Sequence, residues 1–73
     1  MRRADLIRRV RQAAKLRHRT WALHREGREH DIWMCGGTKV AIPRHREINP
    51  YTAEAIFKDL EAELGENWWR QSP

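Results

Sequence analysis

The sequence predicts a two-layer α+β fold of order α-β-β-β-α, a three-stranded antiparallel sheet with two helices on one face. Three observations predict it: an apolar repeat at helical spacing near the start, three β-type segments parted by glycine turns, and a second helical stripe behind Asn49-Pro50. With 73 residues the chain supports one small domain. Residues 1–73 are therefore read as a single unit, with its core over about 3–64 and a Trp-containing tail at 66–73.

From Arg3 to about Leu16, Leu6, Ile7, Val10, Ala13 and Ala14 recur at helical spacing, while Arg8, Arg11 and Lys15 fall on another face. This first helix is thus both a core element and a basic surface. Arg17-His18-Arg19 breaks the pattern and reads as a loop. From Thr20 to Arg25, Trp21 and Leu23 alternate with Thr20, Ala22 and His24, the period of a half-buried strand, so Trp21 and Leu23 are expected to face the helices. A turn at Glu26-Gly27-Arg28 follows, where Gly27 is free to take φ > 0. Ile32, Trp33, Met34 and Cys35 form an unbroken apolar run, which suits a central strand and leaves its inward face undecided. Gly36-Gly37 is a hairpin signal, followed by β-branched Thr38 to Ile42 and closed by Pro43. Asn49 and Pro50 then open a helix whose stripe is Ala53, Ile56, Phe57, Leu60 and Leu64, expected to end at Gly65. Trp68 and Trp69 lie beyond that stop and must either cover the core or meet a partner.

The net charge of +5 is unevenly spread. Residues 1–28 hold ten Lys or Arg and two Asp or Glu, residues 29–46 hold three and two, and residues 47–73 hold two and six. The basic half suits a polyanion, most commonly nucleic acid. Cys35 is the one cysteine, so no internal disulfide or paired-Cys zinc site is expected. The chain lacks an apolar run near the ~20 residues of a membrane span, and a cytoplasmic protein is expected.

Four features carry a family resemblance: the helix-forming start, Trp21-Ala22-Leu23-His24-Arg25-Glu26-Gly27, the strand carrying His30, and Ile42-Pro43-Arg44-His45-Arg46-Glu47-Ile48-Asn49-Pro50 leading into the last helix. Over about residues 3–64 the chain resembles the HicA family of type II toxin-antitoxin toxins. The resemblance implies a fold like the double-stranded-RNA-binding domain and a metal-independent mRNA interferase, an endoribonuclease without cofactor. It also implies neutralisation by a HicB-type antitoxin. In that family the catalytic histidine opens the second strand, within Gly-Ser-His or a similar sequence, and His30 occupies that place here. Arg28-Glu29 stands where the family often has small residues, with the glycine at Gly27.

The chemistry of RNA hydrolysis agrees with that placement. Cleavage through the neighbouring 2′-hydroxyl needs a proton acceptor and donor near neutral pH, and a histidine, with a reference pKa of ~6.5, supplies both. Cations at Arg28, Arg44 and Arg46 would stabilise charge at the phosphate. Together with Lys39 and His45 they make up the expected RNA-binding set. His45 could serve as a second acid/base, or could fix Glu47 or a backbone carbonyl. His24 and His18 are expected at the surface or in contact with RNA, and Cys35 has no surrounding charge to make it a nucleophile. Trp33 belongs to the core, or to the open face as a stacking platform for a base. Two other classes share these features: a non-catalytic RNA- or DNA-binding module, and a protein-binding domain resting on Trp68, Trp69 and the acidic second helix. For an antitoxin, an acidic partner covering His30 is expected, with Trp68-Trp69 as an added anchor.

Overall fold

The apolar repeat that begins the chain forms α1, Arg3–Leu16, in a computed structural model that describes residues 1–70. It buries Leu6, Ile7, Val10 and Ala14. The end of α1 has a specific geometry: the Arg19 amide donates to the Ala14 carbonyl at 2.8 Å and the His18 amide to that of Lys15 at 3.3 Å. His18 sits at φ 56°, the left-handed position that glycine usually fills in this helix-terminating motif.

Three strands follow, β1 (Trp21–Arg25), β2 (His30–Cys35) and β3 (Thr38–Pro43), antiparallel in the order β1-β2-β3. The β2–β3 turn is the two-residue Gly36-Gly37 loop, since Cys35 pairs with Thr38, and Gly36 lies at φ 56°. Pairing of Asp31 with Ile42, Trp33 with Val40 and Cys35 with Thr38 settles the undecided parity of β2. Asp31, Trp33 and Cys35 look toward the helices; His30, Ile32 and Met34 share the open face with Ala41 and Lys39.

Strand β1 extends beyond the helical cover. Trp21 stacks on Trp33 with ring centroids 4.7 Å apart and planes 18° apart. Leu23 keeps 42% of its surface exposed, so it has the expected parity without the expected burial. A register shift between Leu23 and Arg25 places Arg25 opposite Ile32.

The second helix is interrupted. Asn49 caps α2, Pro50–Asp59, by accepting a hydrogen bond from the Tyr51 amide at 2.8 Å, with Pro50 in the first turn. The expected single helix to Gly65 breaks at Leu60 (φ −93°, ψ 1°), and α3, Glu61–Leu64, ends at Gly65 with φ 97°. The break lets Leu60 and Leu64, both fully buried, reach the same core as Ala53, Ile56 and Phe57. Glu63 from α3 accepts from Thr38 Oγ1 at 3.1 Å and pairs with Arg19 at 3.2 Å, which ties the β2–β3 hairpin to the helical layer.

Trp68–Arg70 form a 3₁₀ turn that closes the core. Trp68 is buried, meets Phe57 edge-on at 5.1 Å and donates its indole N–H to the Phe57 carbonyl at 2.8 Å. Trp69 stacks on Phe57 at 5.9 Å. Of the tail expected over 66–73, residues 71–73 lie outside the described residues. No described helix is long and apolar enough to cross a membrane.

Candidate nucleic-acid interface

The turn before β2 is organised by Asp31. Its carboxylate is on the helix side, next to His30 on the open side, and the residue keeps 7% of its surface exposed. A buried carboxylate requires cations and donors around it. Asp31 Oδ2 accepts from Arg3 Nη2 at 2.7 Å, Oδ1 accepts from the Gly27 amide at 3.2 Å, and Arg44 Nε approaches Oδ1 to 3.7 Å. The two arginines also bind backbone. Arg3 Nε donates to the Pro43 carbonyl and Arg44 Nη1 to the Gly27 carbonyl, each at 2.8 Å.

This network spans both ends of the segment that presents His30. Pro43 is the register partner of His30, and the Arg44 amide donates to the Glu29 carbonyl at 2.9 Å, extending the ladder past the strand. Gly27 is required for a reason other than the positive φ expected of it: it is not at positive φ, and a Cβ there would collide with the His30 carbonyl oxygen. The turn therefore folds back on the residue it delivers.

His30 itself is exposed, and among the described residues its imidazole has no hydrogen-bond partner. Arg28, in the turn, and His45 and Arg46, after β3, are exposed around the same end of the sheet. His45 makes no bond to Glu47, whose carboxylate pairs instead with the amino group of Met1 at 3.5 Å. Arg44 is half exposed and committed to Asp31 and Gly27, so it is a structural clamp as well as a surface cation. Lys39 is elsewhere. It pairs with Met34, four positions from His30 and about 13 Å along the strand. There it borders a shallow depression of about 350 Å³ with His24, Arg25 and Ile32.

Cys35 is fully buried, and burial, then the nearby Glu63 carboxylate, push its thiol above the ordinary value of 9.0 despite the opposing effect of Arg19. A neutral, enclosed thiol is a core group and no nucleophile. Trp33 takes the helix side, not the open face. Among the described residues, no three His, Cys, Asp or Glu side chains gather closely enough to hold a metal ion.

Asp31 and Arg3 are the participants that sequence reasoning missed. An acid two positions from Trp33 and four from Cys35 shares their side of a strand, but the unbroken apolar run leaves that side undecided in the sequence, so no local signal marks Asp31 or its partner. Comparison of the chain with protein-family models, curated proteins and solved structures gave no match.

Proposed function

We propose that the protein is a small metal-independent endoribonuclease, an mRNA interferase acting as the toxin of a type II toxin-antitoxin pair. His30 is its general acid/base, and a HicB-type antitoxin is its inhibitor. The observation that carries this reading is the exposed imidazole of His30 at the start of a strand whose turn is braced by the Asp31–Arg3–Arg44 network. A nucleophilic 2′-hydroxyl on a bound RNA could give its proton to such an imidazole, and the leaving 5′-oxygen could take one back. Arg28 and Arg46 stand at the same end of the sheet, where cations would offset charge developing on the phosphate.

One observation favours a second reading. With no partner to fix its tautomer, the free His30 imidazole also suits a non-catalytic RNA-binding module.

Incubating the protein with RNA in EDTA, beside a His30→Ala control, separates the two. The expected outcome is cleavage by the parent chain and a loss of about 10²–10⁴-fold in the variant with its thermal unfolding unchanged. Equal cleavage by both proteins removes His30 from catalysis, and no cleavage by either leaves the binding module.

A further inference from the structure

The helix side of the sheet carries a second basic feature, separate from the face that presents His30. A groove of about 650 Å³ runs between α1 and the segment after β3, lined by Arg2, Arg3, Arg11, Arg44, Arg46 and Trp33 among others. Its size falls in the ~300–1,000 Å³ range of ligand sites. Five guanidinium groups border one groove, and the Asp31 carboxylate is shared between two of them, Arg3 and Arg44. Two further acids close to the groove in sequence are engaged with other groups, Asp5 with Arg8 at 2.6 Å and Glu47 with the Met1 amino group at 3.5 Å. Arg2, Arg11 and Arg46 form no side-chain ion pair or hydrogen bond among the described residues, and all three are exposed.

We infer that this groove binds the phosphodiester backbone of single-stranded RNA, with Arg2, Arg11 and Arg46 contacting successive phosphates. The assignment to RNA rests on the function proposed above; the preference for a polyanion rests on the groove alone. Arg3 and Arg11 lie eight residues apart on α1, roughly 12 Å along its axis. A line of cations of that length matches a polymer with a regularly repeated charge better than a single anion. The groove also has apolar lining from Ala4, Ile7 and Trp33, and an acidic protein segment fits less well because its charges lack the even repeat of a phosphodiester backbone. Arg44 and Arg46 belong to both the groove and the end of the sheet where His30 pairs with Pro43, so a strand held in the groove leads toward the imidazole.

The test uses the His30→Ala chain, so that binding is read apart from cleavage, with a fluorescent single-stranded RNA oligonucleotide titrated by anisotropy from 50 to 200 mM NaCl. Each lost phosphate contact lowers the slope of log affinity against log salt by ~0.7 on a single strand. The Arg2→Ala/Arg11→Ala/Arg46→Ala variant should thus lose a slope of about 2, which removes about 20-fold of the affinity change over that salt range. A variant with equal charge loss away from the groove, Arg17→Ala/Lys58→Ala/Arg70→Ala, should keep the parent slope. Circular dichroism and thermal unfolding check that all three proteins are folded. Equal slopes in the parent and the groove variant overturn the proposal, as does an equal drop in both triple variants. Polyglutamate binding that depends on the three groove arginines, with no RNA binding, assigns the groove to a protein instead. Cleavage by the His30→Ala chain would overturn the catalytic reading and leave the groove standing.

Discussion

Asp31 is buried against two arginines that are themselves only partly covered, with side-chain exposures of 23% for Arg3 and 50% for Arg44. Removing one member of a fully buried pair costs ~3–5 kcal/mol, and solvent reaching the arginines lowers this. Asp31→Ala should therefore lower the unfolding free energy by about 2–3 kcal/mol in urea titrations. Under conditions where the variant is folded, RNA cleavage should fall by about 10- to 100-fold, because a loosened Gly27 turn misplaces His30. Unchanged stability would mean that the network is dispensable. The role of Asp31 was not legible in the sequence, because the run Ile32-Trp33-Met34-Cys35 has no alternation from which to read a face. His30 was legible, since a glycine turn and a strand start are local signals. Arg44 was legible as a cation and not as a clamp, because its partners Asp31 and Gly27 come from another loop.

Helix ends differ in how far they can be read locally. Asn49-Pro50 declares the start of α2 by its own chemistry, and Gly36-Gly37 declares the hairpin. The end of α1 had no such marker, since the left-handed position is held by His18. Glycine avoids the Cβ strain of that conformation, so His18→Gly should stabilise the protein by about 0.5–1 kcal/mol, measured as a rise in melting temperature. A fall would mean that the histidine ring contributes more than its backbone costs. The break at Leu60 was equally unmarked, because it depends on the depth of the core that Leu60 and Leu64 must reach.

The 3₁₀ turn corrects the expectation that both tail tryptophans serve as an anchor for a partner. Trp68 is internal, and its indole satisfies the carbonyl of Phe57. Trp68→Ala should cost ~3–5 kcal/mol. A domain of this size has roughly 4–11 kcal/mol in all. Calorimetry should thus find the variant marginally folded or unfolded at 37 °C. A wild-type melting curve would place Trp68 outside the cooperative unit.

The assembled domain is 30 × 23 × 16 Å in extent, with its cations gathered on α1, the Gly27 turn and the segment after β3. Nothing in α2 or the 3₁₀ turn covers His30, which remains exposed. Under the toxin reading, we propose that inhibition comes from another chain. We expect a stable complex with a small acidic protein that covers His30 and the arginines near it, charge complementarity speeding its docking. Co-purification, followed by RNase assays with and without the bound chain, checks this. A protein that elutes alone and is harmless when overexpressed would sink both the inhibitor and the toxin reading.

The four tryptophans are arranged as two separate pairs, and this gives the molecule two built-in optical reporters. Trp21 and Trp33 are close and nearly parallel beside the arginine groove, whereas Trp68 and Trp69 cross at 78° against Phe57 in the helical layer. Indoles stacked at 4.7 Å are close enough to couple electronically, so the absorption and emission of the first pair should differ from those of the second. Phenylalanine replacement within one pair leaves the other to be watched alone. An occupant of the groove would then change the emission of the first pair, and undocking of the C-terminal turn that of the second.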